Sequence, residues 1–318
     1  MRYKVYSDYL KEKYGEKVYK LPINLPLSCP NRDGEISVDG CYFCGVKGAG
    51  YESLSNKLSV KEQIQKNKDY ISSKYKAKKF IPYFQNFSNT YLSPETLDKY
   101  LEEAATASDD IVGISIATRP DCINDKYLVL LQNIKEKFCL DITVELGLQT
   151  VNYHTLKKIN RGHTLAEFLD AVLKIKKYDF EICAHVILDL PYDNLDDVIE
   201  TAKVLSSLEI DEVKIHSLYI VKDTKFAKLY EQGNLNLISK EDYINRVVTF
   251  LEYLSPDIVI GRLIGRAPEI DTLIANWNTA WWKIKDEIDE KLNILDTWQG
   301  KKFNYLNGAA VKKFFKKL

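Results

Sequence analysis

The segment VYKLPINLPLSCPNRDGEISVDGCYFC, residues 18–44, decides how the whole chain is interpreted. Its first part, Val18–Leu27, is short and rich in branched and aromatic residues, which predicts a β-strand. Three cysteines follow this strand at Cys29, Cys41 and Cys44, within 16 residues of one another. The sequence therefore predicts a strand followed by one loop that carries three thiols.

The same alternation of apolar segments and polar or glycine-bearing segments continues along the chain. The further strand candidates are Phe80–Phe87, Ile111–Thr118, Asp141–Gln149, Phe180–Leu190 and Glu212–Ile220. The amphipathic helix candidates between them are Val60–Tyr75, Ser93–Ala107, Lys126–Phe138, Thr164–Tyr178 and Leu195–Leu208. Strands that alternate with helices predict an α/β fold whose parallel strands are joined by right-handed crossovers. Six such units predict a partial (β/α)6 barrel, in which chemistry is located on the loops after the carboxyl ends of the strands.

After about residue 221 the alternation loosens. We predict a helix near Lys240–Leu254, a strand over Asp257–Ile264 and a helix over Asp271–Leu292 that carries Trp277, Trp281 and Trp282. No linker rich in glycine, serine or proline separates this region from the rest. The chain therefore divides into a partial barrel over 1–220, with its cysteine loop at 29–44, and a packed C-terminal α/β extension over 221–318.

The charge balance excludes a general affinity for polyanions. The 318 residues include 45 basic and 45 acidic side chains, so any contact with nucleic acid must use local patches. Two such patches are residues 66–79, with six lysines and one acid, and the last 18 residues, with six lysines and no acid. No apolar run approaches the roughly 18 residues of a membrane span, and the N-terminus lacks the apolar core of a signal peptide. We expect a cytoplasmic protein without membrane contact.

The cysteine loop allows three interpretations. A structural zinc site needs four protein ligands, and the next cysteine, Cys122, is about eighty residues beyond Cys44. Buried thiols can pack as small apolar groups, but six cysteines seldom place three so close together by chance. An iron–sulfur cluster held by three thiolates leaves one iron open for a ligand. The spacing favours the iron–sulfur interpretation, with zinc and incidental packing as the alternatives.

The sequence resembles the radical S-adenosylmethionine (radical SAM) superfamily, in the longer-spaced branch that includes the Elongator catalytic subunit. Within that branch it most resembles the YhcC/YtqA-type family, over almost the whole chain. The matching blocks are Cys29–Gly34, Tyr83–Tyr91, Thr118–Cys122, Glu145–Thr150, Asn160–His163 and Gly261–Leu263. The cysteine spacing departs from the commonest radical SAM form, CxxxCxxC. No part resembles the acetyltransferase half of the Elongator subunit.

The resemblance implies a radical SAM barrel with two cofactors. Cys29, Cys41 and Cys44 would hold a [4Fe-4S] cluster, and S-adenosylmethionine would bind its open iron. One electron, delivered by a protein such as flavodoxin or ferredoxin, would cleave the bound molecule to methionine and a 5′-deoxyadenosyl radical. The protein would orient the cofactors and exclude water.

The resemblance also suggests which side chains contact S-adenosylmethionine. Gln149 would hold the ribose hydroxyls, and Arg161 would bind the carboxylate through its guanidinium fork. Weaker candidates of the same kind are Phe43, Gln85, Glu145 and His185. A structural ion pair is an equal alternative for Glu145, and a hydrogen-bonded core position is the alternative for His185.

The family resemblance points to tRNA as the substrate. The implied reaction converts the wobble uridine side chain from 5-carboxymethylaminomethyl-(2-thio)uridine to the 5-aminomethyl form, with the extension over 221–318 as a tRNA-binding region. The basic patches and the tryptophan-bearing helix agree with this, because aromatic side chains stack on bases. Two alternatives remain: a radical SAM oxidoreductase acting on a small metabolite, and a non-catalytic zinc- or iron-binding nucleic-acid adaptor.

Overall fold

The computed structural model describes residues 1–48, 51, 53–268 and 271–315. Lys316 and Lys317 of the predicted basic C-terminal patch lie outside the described residues. Within the described part, no helix is both long enough and apolar enough to cross a membrane.

A parallel sheet of seven strands forms the centre of the molecule. In sheet order its strands are β1 Val18–Ile23, β2 Lys79–Phe84, β3 Gly113–Thr118, β4 Asp141–Gln149, β5 Glu181–Ile187, β6 Glu212–His216 and β8 Val259–Arg262. Two further strands, β7 Ile220–Val221 and β9 Thr272–Ile274, pair with each other in antiparallel orientation. The sheet curls into a partial barrel, which confirms the predicted fold class.

Eleven helices are present in the described part of the chain. They are α1 Tyr6–Tyr14, α2 Val60–Tyr75, α3 Pro94–Ala105, α4 Asp125–Phe138, α5 Tyr153–Lys158, α6 Leu165–Ile175, α7 Leu195–Ser207, α8 Lys225–Glu231, α9 Lys240–Tyr253, α10 Trp281–Ile294 and α11 Ala309–Phe315. Their beginnings follow local chemistry: Ser59 caps α2 in a capping box with Glu62, and Ser93 caps α3 just before its proline. The apolar faces of the long helices between the strands pack against the sheet in one continuous core.

The seventh strand differs from the six-stranded expectation. We placed the strand near 257–264 in the C-terminal extension, but as β8 it pairs in parallel with β6 and extends the main sheet. The sequence shows that this segment is a strand but does not show its partner. Val5, just before α1, forms an isolated bridge to Ile260 on the far side of β8, so the edge of the sheet is partly covered.

The helix predicted over Asp271–Leu292 is wrong in its first ten residues. Residues 272–274 form β9, a 3-10 turn follows at Asn276–Asn278, and α10 begins only at Trp281. The backbone φ angles of the three residues in that turn are +48°, +51° and +55°, which interrupts a right-handed helix. Trp277 lies on this turn, where its Nε1 donates to the carbonyl of Ile238 at 2.8 Å.

The loops after β5 and β6 are joined by a buried carboxyl group. The backbone N–H of Leu218 donates to Asp189 Oδ1 at 2.6 Å, and Asp189 is 4% exposed. Burial raises the pKa of Asp189 to about 7. Ionisation of Asp189 therefore destabilises the folded state increasingly as the pH rises from 3.8, the ordinary pKa of the group, to about 7. The full cost is present above pH 7.

We expect Asp189→Asn to remove this pH dependence, because asparagine keeps the acceptor oxygen and cannot ionise. Between pH 4 and pH 8 the free energy of unfolding of the variant should improve relative to wild type by about 4 kcal/mol, at roughly 1.4 kcal/mol per pKa unit. Urea titrations at a series of pH values measure this difference. Asp8→Asn, on the exposed side of α1, is the control for the loss of one carboxyl group at the surface. A difference between Asp189→Asn and wild type that does not change with pH would contradict the expectation.

Candidate active site

One cavity of about 190 Å³ opens at the carboxyl ends of the strands. All nine side chains singled out in the sequence line it: Cys29, Cys41, Phe43, Cys44, Gln85, Glu145, Gln149, Arg161 and His185. They come from the cysteine loop, from the residue after β2, from β4 and β5, and from the loop before α6. The fold thus brings together residues that are up to 156 positions apart in the chain.

The three loop cysteines are free thiols, and two of their sulfurs receive hydrogen bonds from nearby arginines. Cys29 and Cys41 are buried and Cys44 is partly exposed. Arg161 Nη1 lies 3.4 Å from Cys41 Sγ, and Arg32 Nη1 lies 3.7 Å from Cys44 Sγ. Cationic donors directed at sulfur favour the thiolate over the thiol, and the thiolate is the form that binds metal.

The electrostatics of the thiols fit a metal cluster. Burial, followed by the neighbouring Cys41, raises the pKa of Cys44 to about 12, so the thiolates need a cationic partner to form together. A structural zinc site is closed by four protein ligands, whereas among the described residues that line the cavity there are three loop thiols and no fourth cysteine. This donor set fits an iron–sulfur cluster with one open iron better than a closed zinc site.

The segment 160–163 holds the cysteine loop in place. Asn160 Nδ2 donates to the carbonyl of Gly40 at 2.8 Å, and Asn31 Nδ2 donates to the carbonyl of Asn160 at 2.7 Å. Gly162 has a φ of +81°, and a Cβ there would lie 2.5 Å from Asn31 Oδ1. The left-handed backbone and the close approach both require glycine at this position.

Arg161 and Gln149 meet above Gly147. Arg161 Nη2 donates to the carbonyl of Gly147 at 2.8 Å, and within the described residues its buried Nε has no partner. A Cβ on Gly147 would lie 2.6 Å from Arg161 Nη2 and 2.8 Å from Gln149 Nε2. Gln149, with a φ of +75°, ends β4 at a shift in its register with β5. The missing side chain at 147 thus lets these two polar groups lie side by side at the cavity.

Glu145 is the centre of a buried ion-pair network. Its side chain is fully buried, and its oxygens accept from Lys20 at 2.6 Å, Ser115 at 2.6 Å and Lys214 at 2.5 Å, as well as from His185. Burial alone would raise the pKa of this carboxyl, but the two lysines and His185 together hold it well below its ordinary value. These donors occupy the carboxylate, as the ion-pair alternative in the sequence anticipates.

Two histidines on the next two strands of the sheet, β5 and β6, extend this network from Glu145. His185 Nε2 lies 2.7 Å from Glu145 Oε2, and His185 Nδ1 lies 3.1 Å from His216 Nε2. The two imidazole rings are stacked with their centroids 5.2 Å apart. Both His185 and His216 line the cavity.

Phe43 and Gln85 complete the set predicted from sequence. Phe43 lies at the cavity wall and packs against a small apolar cluster formed partly by α5 and α8. Gln85 directly follows β2, and its backbone N–H donates to the carbonyl of Ile23 at 3.2 Å. Both residues are half-buried, so their side chains remain partly accessible from the cavity.

Sequence reasoning missed His216, which also lines the cavity. It was not singled out, although it follows Glu212 and Lys214 at a spacing of two, the period of one strand face. Arg119, in the matching block Thr118–Cys122, lines the cavity as well. It is 2% exposed and binds the Asp121 carboxylate through Nε at 2.8 Å and Nη2 at 2.6 Å.

Comparisons with known proteins agree with this geometry. The family model described as the Radical SAM superfamily matches residues 29–205, and the one described as the Radical_SAM C-terminal domain matches residues 210–293. The uncharacterized protein YtqA of Bacillus subtilis is 37% identical over 306 residues, which cover 96% of this chain and 94% of YtqA. Protein YhcC of Escherichia coli is 32% identical over 284 residues, which cover 89% of this chain and 90% of YhcC.

Among solved structures, the archaeal Elp3 of Methanocaldococcus infernus with an N-terminal deletion has a TM-score of 0.67 and 14% sequence identity. The match covers 89% of this chain and 64% of that one, and it shows a shared fold. The chain therefore belongs to the radical SAM superfamily of enzymes, which use a [4Fe-4S] cluster and S-adenosylmethionine, and within it to the family of YtqA and YhcC, related to Elp3.

Proposed function

We propose that this protein is a radical SAM enzyme that modifies the side chain of the wobble uridine in tRNA. The reaction converts 5-carboxymethylaminomethyl-(2-thio)uridine to the 5-aminomethyl form. The observation that carries the radical chemistry is the cavity lined by three free thiols together with the six predicted S-adenosylmethionine residues. The wobble uridine rests on the family resemblance and on the relation to Elp3.

The chain's own residues divide the work in this proposal. Cys29, Cys41 and Cys44 hold the [4Fe-4S] cluster, and Arg161 and Gln149 orient S-adenosylmethionine by its carboxylate and ribose. When bound, the two cofactors together supply a 5′-deoxyadenosyl radical that abstracts hydrogen from unactivated carbon. Phe43 and the other apolar wall residues exclude water from the reacting atoms.

The surface offers two features for tRNA. On and just after α2, Lys66, Lys74, Lys76 and Lys78 are exposed and carry positive charge suited to phosphates, with Lys78 also paired with Glu16. On α10, Trp282 is 54% exposed and available to stack on a base, whereas Trp277 is held by its hydrogen bond. We place tRNA contact in the region 221–318 and on these lysines, beside a barrel over 1–220 whose sheet is extended by β8.

Nucleoside analysis of tRNA from a deletion strain tests the substrate. We expect the 5-carboxymethylaminomethyl form to accumulate and the 5-aminomethyl form and its descendants to disappear. Purified protein with its cluster, reductant and S-adenosylmethionine should restore the conversion on that tRNA. Unchanged wobble uridines in the deletion strain would contradict the tRNA proposal. If the wobble uridines are unchanged but the purified protein still forms 5′-deoxyadenosine, the small-metabolite alternative replaces the tRNA proposal.

Gly147→Ala tests the S-adenosylmethionine site with little effect on the fold. The new methyl group displaces the ends of two flexible side chains, Arg161 and Gln149, and no backbone atom is among its nearest contacts. We expect the affinity for S-adenosylmethionine to fall by about 10- to 100-fold, the size of effect of losing one or two well-placed polar contacts at ~1.4 kcal/mol per tenfold. Equilibrium binding to the cluster-loaded protein measures it.

Gly113→Ala is the matched control at the opposite end of the neighbouring strand β3. There a Cβ would lie 2.8 Å from the backbone carbonyl of Asp141, which cannot move aside cheaply. This variant should lose stability and keep its affinity for S-adenosylmethionine. If Gly147→Ala binds S-adenosylmethionine as wild type does, Arg161 and Gln149 do not hold it.

A further inference from the structure

Three side chains on three adjacent strands form one continuous hydrogen-bonded chain. Glu145 on β4 binds His185 on β5, which in turn binds His216 on β6, at 2.7 Å and 3.1 Å. All three line the cavity, and the radical chemistry proposed above assigns no role to His216. These hydrogen bonds therefore connect the buried carboxylate of Glu145 to His216, which has no role in the proposed reaction.

Only one placement of the protons satisfies the hydrogen bonds among Glu145, His185 and His216. Lys20 and Lys214 keep Glu145 ionised, so its carboxylate can only accept, and His185 Nε2–H donates to it. Burial lowers the pKa of His185 and outweighs the hydrogen bond to Glu145, so His185 is neutral and its Nδ1 is an acceptor. His216 Nε2–H must then donate to that acceptor. A neutral His216 is left with an unprotonated Nδ1.

The imidazole of His216 lines the cavity and is half-buried. Among the described residues, no hydrogen bond reaches its Nδ1. A Cβ on Gly265 would lie 3.4 Å from this nitrogen, so glycine at position 265 keeps a methyl group away from the lone pair.

We propose that His216 Nδ1 accepts a proton from the substrate bound in this cavity, and that His185 and Glu145 position it. The inference rests on the proposed function for the placement of the substrate. The substrate class is a compound with an ammonium N–H next to the carbon that loses its hydrogen atom, such as the protonated secondary amine of a carboxymethylaminomethyl group. The N–H bond breaks, its electron pair stays on nitrogen as the lone pair of the neutral amine, and the proton moves to Nδ1 without any change of oxidation state.

Charged and titratable neighbours on four strands of the sheet set the proton affinity of His216. These groups are Arg262 on β8, His185 on β5, Lys214 on β6 and Glu145 on β4, and Arg262 is in register with Lys214. Burial, followed by the Arg262 guanidinium, lowers the pKa of His216 well below its ordinary value, so the acceptor form is present at neutral pH. Neutralising Arg262 raises that pKa. A substrate anion beside Arg262 would act in the same direction and strengthen the base.

Imidazole NMR tests the arrangement without cluster or tRNA. The chain contains four histidines, so protein labelled with 15N-histidine gives four imidazole pairs, and His216→Asn assigns one of them. We expect His216 to carry its proton on Nε2 with Nδ1 free at pH 7. Arg262→Gln should shift its titration to higher pH, whereas Arg262→Lys should leave it in place. A proton on Nδ1 at pH 7 would overturn the proposal.

An assay of turnover shows whether His216 acts as a base or has only a structural role. His216→Asn removes the imidazole, so we expect the ratio of modified uridine to 5′-deoxyadenosine to fall by about 10²-fold, the lower range for loss of a general base. His154→Asn, on the exposed side of α5, is the control and should keep the wild-type ratio. A wild-type ratio in His216→Asn would overturn the proposal. Absence of uridine turnover in the wild type contradicts the proposed substrate alone, because the NMR result stands independently.

Discussion

Cys41→Ala is expected to abolish cluster binding and all S-adenosylmethionine cleavage, while the barrel stays folded. Cys41 is 7% exposed, and its sulfur receives hydrogen bonds from both Arg161 and Asn31. Two remaining thiolates cannot hold a [4Fe-4S] cluster that has only three protein ligands. Anaerobic reconstitution, followed by iron and sulfide analysis and a 5′-deoxyadenosine assay, measures both losses.

Cys183→Ala is the matched control for this experiment. Cys183 is also a free, fully buried thiol, but it lies on β5 away from the cysteine loop. Its loss should cost about 1 kcal/mol of stability, as expected for a small buried group, and leave iron content and S-adenosylmethionine cleavage intact. The expectation for Cys41 fails if Cys41→Ala reconstitutes to the wild-type iron content. A colourless wild type with one tightly bound zinc would instead support the adaptor alternative.

The sequence predicted the alternation of strands and helices because each element depends on local patterns. The helix α2 has the same bounds as its prediction, since the capping residue Ser59 is visible in the sequence. The partner of β8 was not predictable, because strand pairing depends on contacts between distant segments. The predicted helix began ten residues before α10 because three consecutive residues with positive φ prevent a helix there, and apolar periodicity does not reveal them.

The candidate site was predictable where a motif marks it and not where only the fold does. Cys29, Gln149 and Arg161 lie in recognisable blocks, and the structure places them around one cavity. His216 lies in no such block, and only the adjacency of β5 and β6 brings it to His185. The sequence offered a structural ion pair as one interpretation of Glu145 but did not identify its lysine partners, which are 125 and 69 residues away in the chain.

Glu145→Ala is expected to destabilise the barrel severely. Removing the carboxylate leaves the Lys20 and Lys214 ammonium groups close together without a counterion at Glu145, and Lys214 is 4% exposed. Breaking a buried ion pair in this way costs about 3–5 kcal/mol, a large part of the roughly 5–15 kcal/mol that stabilises a typical domain. Urea unfolding of the full chain measures the difference.

The loss of stability in Glu145→Ala has a matched control at a surface ion pair and an expected pH dependence. Glu102→Ala removes the partner of Lys137 on the surface, and an exposed pair contributes about 0–1 kcal/mol. Because the pKa of Glu145 is lowered by folding, its contribution is fully present above its ordinary value of 4.5 and is lost as the pH falls towards the folded value. The difference between Glu145→Ala and wild type should therefore be constant above about pH 5 and shrink in stronger acid. Equal stabilities of Glu145→Ala and Glu102→Ala at pH 7 would show that Lys20 and Lys214 find other partners, and that Glu145 does not hold the strands of the barrel together.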